Sequence, residues 1–282
     1  GSPIKNLTDI PQSSNLKVWY KLDASEIYNS TSTEWSVDNN VFPTSYKSSL
    51  SFDGNNDVID IPNSSVFNLG TSFTISGWFN VTSYVANMGY ISFDSSTRGW
   101  FLFHQGTNLA IYDGTSVITL NSNLQPTNQW NSYIITYDGT DLIFYLNGQQ
   151  NSTQAVSTNL QTNGNNGQIG NQQFQAGRFY NGYISNLAIY NTALSPSNVA
   201  TLYNNGTPQA TIYGSPVAHW KLDNTTTGIQ DSAGSNNGTN NGATEYAGFV
   251  NALAGESSGM TQANLVQSDL QTVAPYSKYA MN

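Results

Sequence analysis

Few side chains in this chain can do chemistry, and their neighbours limit them further. Cysteine is absent, which removes thiolate nucleophiles, disulfides and zinc-thiolate sites. The two histidines are His104 and His219. His219 lies in "VAHWKLD" (217–223), which repeats "KVWYKLD" (17–23) with Trp19 in the histidine's place. A position that accepts an indole is not read as a proton shuttle. His104 follows "GWFLF" with no carboxylate beside it, and reads as a packed or solvated strand histidine. Many aspartates fall in Asp53-Gly54, Asp113-Gly114 and Asp138-Gly139, pairs that turn formation explains. No catalytic pair is assembled by these residues, and the chain is read as not an enzyme.

Ligand binding is better supplied. "FDGNNDVID" offers Asp53, Asn55 and Asp57 at alternating positions, with Gly54 permitting a tight bend. Hard cations take such clustered oxygens, so calcium is the candidate ion, and a plain Asp/Asn/Gly turn is the competing reading. Saccharides stack on aromatic rings beside amides and hydroxyls. The candidates are Trp78, on the polar face of its strand, and Trp100, Tyr112, Tyr180 and Tyr183, near turns or strand ends. Core packing is the competing reading for each, and for Trp78 the favoured one.

The elements that must position these residues are strands. Charged residues make up 9% of the 282, aromatics 12%, and Gly, Asn, Ser and Thr fill the turns between. In "SFTISGWFNV", Phe73, Ile75, Phe79 and Val81 point one way and Thr74, Ser76, Trp78 and Asn80 the other. "GWFLFHQGTNLAIYDGTSVITL" reads as three strands with turns at Gly106 and Asp113-Gly114, and "NSYIITYDGTDLIFYLNGQ" as a hairpin. One helix is convincing: Ser195 as N-cap, Pro196 in the first position, Asn205-Gly206 as the stop. Many strands and one terminal helix predict an all-β fold, a two-sheet antiparallel jelly-roll sandwich. The net charge of −9 and only eight Lys and Arg argue against nucleic acid and anionic membranes. No apolar run reaches the length of a bilayer-crossing helix.

The repeated heptapeptide sets the domain plan. Lys21 and Lys221 are 200 residues apart, which is domain spacing. The expected plan is a linker at 1–15, a jelly roll at 16–206, a linker at 207–215 and the start of a second similar unit at 216–282. The opening Gly1-Ser2-Pro3 reads either as the tail of a preceding unit or as a cloning remnant.

Four motifs, "YKSSLSFDGNNDVIDIP", "FTISGWFN", "QWNSYIITYDGTDLIFYLNG" and "YISNLAIYNTALSPSNVATLY", occur in the order seen in laminin-G-like jelly rolls. The chain therefore resembles the concanavalin A-like lectin/glucanase superfamily over about 16–206. The resemblance implies the sandwich. It also implies that calcium, where bound, would use the Asp53 loop with a carboxylate on the late strand, where this chain has Asn186. Glucanases of the superfamily set acidic residues closely on one strand. Here no Glu-x-Asp-x-Glu run exists, and none of Glu26, Glu34, Glu245 and Glu256 falls on a strand expected to line the concave sheet. The Asn-, Ser- and Thr-rich flavour and "SSGMTQANLVQSDL" are similar to tandem units of marine phage structural proteins, and next to bacterial surface adhesins. The implied protein is extracellular: a non-catalytic structural or adhesive module on a virion or bacterial cell surface. Its partners would be a glycan or surface protein, and neighbouring repeats or subunits of the same assembly. The alternative is a carbohydrate-binding accessory module of a secreted glycoside hydrolase.

Overall fold

Turn residues cut the chain into short strands whose side chains alternate between two faces. The computed structural model describes residues 49–246, apart from 96, 207 and 210, and the backbone of four short strands outside that span. In one unit, made of Gly1–Ser45 and Asn251–Asn282, β1 (Ile27–Asn29) pairs antiparallel with β2 (Glu34–Ser36).

The other unit, Tyr46–Val250, holds the sandwich. It begins with β3 (Ser49–Asp53), β4 (Val58–Ile61), β5 (Phe73–Val81), β6 (Gly89–Ser92), β7 (Phe101–Gln105) and β8 (Asn108–Tyr112). Then come β9 (Val117–Asn121), β10 (Trp130–Tyr137), β11 (Asp141–Leu146), β12 (Gln149–Ala155), β13 (Gly167–Ile169) and β14 (Asn181–Tyr190). The helix α1 (Pro196–Tyr203) follows, and β15 (Ala218–Trp220), β16 (Thr239–Asn241) and β17 (Thr244–Tyr246) close the unit. The first unit ends with β18 (Leu270–Gln271) paired to β19 (Ala280–Met281).

Two antiparallel sheets result. The first runs β12-β11-β10-β5-β14-β3-β17, with β15 also on β14; the second runs β16-β4-β13-β6-β7-β8-β9. Between them lies a core that includes Leu50, Phe52, Phe67, Ile75, Phe79, Tyr90, Leu102, Ile111, Tyr133 and Ile184, all buried. β5 shows how sequence becomes layer. Phe73, Ile75, Phe79 and Val81 enter the core as the alternation predicts. Its other face is also buried, because α1 and the turn after it cover that side with Val199, Leu202 and Ile212 packed near Ile134, Tyr145 and Tyr190. The helix starts as expected, with Ser195 Oγ accepting from Asn198 N at 3.3 Å and Pro196 following. It stops one residue earlier than expected, at Asn204 in the left-handed conformation, φ 50°.

The expected boundary at residue 206 does not match the packing. β15 pairs with β14 (Leu187 opposite Trp220), β16 with β4, and β17 with β3 (Ser49 opposite Tyr246). The stretch read as the start of a second unit thus closes this one, up to Tyr246. The cause lies in β14, which is longer than its neighbour. β3 covers Asn181–Ile184, and the remaining edge would be unpaired without β15. A bulge between Ser185 and Ala188, with Asn186 at φ 54°, separates the two partners along one edge. Residues 16–48, expected to open the jelly roll, lie outside the described residues apart from the backbone of β1 and β2.

Candidate ligand-binding surface

The exposed chemistry gathers on the outer face of the second sheet. Along β7, Leu102 faces the core, so Phe101 and Phe103 face outward, where they form a separate apolar patch with Ala110 and Tyr112. Phe101 stacks on Tyr112 with centroids 4.9 Å apart. The loop between β13 and β14 lies across this face. It approaches so closely at Gly89 that a Cβ there would sit 2.3 Å from Asn171 C and Gln172 N, which only glycine avoids.

Two loops meet over the patch at Arg98. Its guanidinium carbon lies 4.0 Å from the Phe174 ring centroid on the loop and 4.5 Å from that of Tyr112. Asp94, whose side chain is fully buried, accepts from Arg98 Nε at 3.0 Å, from Gly99 N at 3.2 Å and from Gln172 Nε2 at 2.9 Å. Burial pushes the Asp94 carboxyl upward, and the Arg98 charge pulls it back. Gln172 Oε1 in turn accepts from Arg178 Nη1, and Gln175 from Arg178 Nη2. A second aromatic group lies on the first sheet, where Tyr183 stacks on Tyr246 at 4.0 Å with Trp130 at 6.4 Å.

The predicted aromatics divide accordingly. Tyr112 and Tyr183 are partly exposed members of these two surfaces. Trp100 and Tyr180 are core residues: Trp100 is fully buried and donates to Phe67 O at 2.9 Å, and Tyr180 packs edge-on against Phe52. Trp78 does face away from the core, but it is covered by α1, stacking on Tyr203 at 5.8 Å. A position near a turn did not imply exposure. Arg98, Phe174 and Arg178 were missed, because Arg98 lies 76 or more residues from the other two and no local pattern joins them; the signal for the arginines was the scarcity of cations.

Of the predicted metal set, Asp53, Asn55 and Asp57 share one turn, and Asn186 lies apart from them. Asp53 Oδ1 accepts from Asn55 N at 2.8 Å and Asn56 N at 3.2 Å, and Asp57 Oδ2 accepts from Asp53 N at 2.9 Å. The turn is closed by its own carboxylates. Hydrogen bonds led by that from Asn55 N hold Asp53 below its ordinary range, while burial raises Asp57. Asn186 is five positions along β14 from Asn181, the residue opposite Asp53, so it is separated from the turn by roughly 16 Å. Its side-chain oxygen accepts from His219 Nε2 at 2.5 Å and its amide reaches Gln209 O. Among the described residues, no group of three or more His, Asp or Glu gathers to hold an ion.

Both histidines are packed. His104 shares a 2.6 Å hydrogen bond with Tyr90 and lies edge-on to Tyr84; burial lowers it to about 4. His219, also lowered by burial to about 4, places Nδ1 2.6 Å from the Ser232 hydroxyl. Because Asn186 accepts at Nε2, the neutral ring carries its proton there and takes the Ser232 proton at Nδ1. The one Gly-x-Ser-x-Gly run, Gly255–Gly259, lies outside the described residues.

A family model, Laminin_G_3, described as the concanavalin A-like lectin/glucanases superfamily, matches residues 53–200. No curated protein matches the chain. Among solved structures, a proposed carbohydrate-binding protein from Bacteroides ovatus is similar at 20% identity and TM-score 0.57, over 70% of this chain and 59% of that one. The chain thus spans about three fifths of that protein's length. A heptameric pentraxin from Limulus polyphemus is similar at 13% identity and TM-score 0.48, over 72% of this chain and 95% of that one. Domain 4 of a Geobacillus stearothermophilus arabinanase, solved with arabinotriose, shows 16% identity and TM-score 0.44, over 54% of this chain and 75% of that one.

Proposed function

Because the chain belongs to the concanavalin A-like lectin/glucanase superfamily, we propose that Tyr46–Val250 is a non-catalytic module that binds carbohydrate. The observation that carries this is the surface at Arg98, where half-buried Tyr112 and 41%-exposed Phe174 flank a guanidinium and a fringe of glutamine and asparagine amides. Phe174 leaves ring surface open to a sugar face, beside donors and acceptors for its hydroxyls, while Tyr112, stacked on Phe101 and covered by Arg98, holds the guanidinium in place.

The reading treats the chain as part of a secreted or surface-displayed protein. Neither a virion or bacterial surface assembly of repeated units nor an accessory role beside a glycoside hydrolase is favoured by the site. The Asp53–Asp57 turn is treated as self-closed, not calcium-dependent, since its carboxylates already serve the backbone. The test is a glycan array on the full chain, with hits followed by calorimetry. Phe174→Ala and Tyr112→Ala should each weaken a hit by about tenfold. Binding unchanged in both variants would move the site elsewhere, with Tyr183 and Tyr246 the next surface to substitute.

A further inference from the structure

Arg98 is held so that only one part of it faces outward. Rings cover its guanidinium at 4.0 and 4.5 Å, and Asp94 takes Nε. Its side chain is nevertheless 35% exposed, and its two Nη groups have no hydrogen-bond partner among the described residues. What is left open is a planar fork of donors, the shape that matches a carboxylate or sulfate.

The charge balance points the same way. The described residues 49–246 contain three cationic side chains, Arg98, Arg178 and Lys221, in a chain of net charge −9. Two of the three meet in one network, linked as Arg98–Asp94–Gln172–Arg178. Asp94 offsets one charge, while Gln172 and Gln175 hold Arg178 with neutral oxygens. Like charges repel each other, and here Arg98 helps to lower Arg178, after burial as the main cause. One buried carboxylate faces two arginines, so the network keeps a net positive charge for a ligand anion to meet.

We propose that this surface takes an anionic saccharide, one carrying carboxylate or sulfate groups, with the anion on the outward edge of Arg98 and a sugar face on Phe174. The inference rests on the carbohydrate-binding reading and adds the charge of the ligand. Arg178 supplies the second positive charge, and Gln172 fixes its distance from the first.

Calorimetry on the full chain with an oligogalacturonate, dextran sulfate and a neutral cello-oligosaccharide tests it. The expected result is binding of at least one anionic ligand and tenfold or weaker binding of the neutral one. The anionic affinity should fall with added salt even though the chain as a whole is negative. Arg98→Lys, which keeps the charge and loses the fork, should lose about tenfold, and Arg178→Gln should lose less. Thermal melts of both variants identify any loss that is only unfolding. Carboxylate and sulfate are told apart by which ligand responds to Arg98→Lys. Equal binding of the neutral oligosaccharide would overturn the anionic inference and leave the module reading intact. Anionic binding that ignores both substitutions would overturn the site. No binding by any saccharide, on these ligands or a glycan array, would remove both.

Discussion

The indole of Trp220 stacks on the ring of Phe67, centroids 5.9 Å apart and 153 positions apart in sequence. Trp220 is fully buried and its Nε1 donates to Asn236 O at 2.8 Å. This contact ties the stretch after α1 into the core. Trp220→Ala should cost about 3–5 kcal/mol, as for other buried large-to-small changes. Chemical denaturation would measure it. A loss below about 1 kcal/mol would mean that 218–246 is not part of the folded unit.

Acid should destabilise the unit through its two buried histidines. His104 and His219 are lowered by burial from 6.5 to about 4. Between those values the unfolded chain binds their protons and the native one does not, so stability is complete above pH 6.5 and falls as pH drops toward 4. Each histidine contributes on the order of 3 kcal/mol across that window. Urea midpoints at pH 7, 5 and 4 should decline, and less steeply in His219→Gln. A flat profile down to pH 4 would contradict the burial of the neutral rings.

Calcium should leave the melting temperature unchanged at millimolar concentration, because Asp53 and Asp57 close their own turn. A rise in melting temperature that Asp57→Ala removes would show that the turn opens to hold the ion.

No reducing sugar should be released from β-glucan, chitin or sialoside substrates. Turnover that disappears when one carboxylate is replaced would overturn the non-catalytic reading.

Local signals carried most of the fold. The alternation in β5, the Gly106 and Asp138-Gly139 turns and the Ser195 cap each depend on neighbours in sequence, and each element forms where those signals place it. What was not legible depended on distant partners. Trp78 was assigned to the correct face, but only α1 decides that this face is covered. Asn186 has the residue type of a ligand, but a bulge turns it to His219. The Arg98 cluster needs the 171–178 loop laid over β7 and β8, and nothing in either stretch announces the other.

The pairing of β17 with β3 joins the first strand of the unit to its last, Ser49 to Tyr246. Translation delivers these partners far apart in time. From residue 206, where the helix segment ends, to residue 246 is 40 residues, about 2–8 s of synthesis at 5–20 residues per second. For that interval the nascent chain carries a nearly finished sandwich whose β14 edge and Phe67 face are uncovered. The sandwich can be completed on the ribosome only after Tyr246 has been added, and until then its β14 edge offers unpaired backbone to other chains.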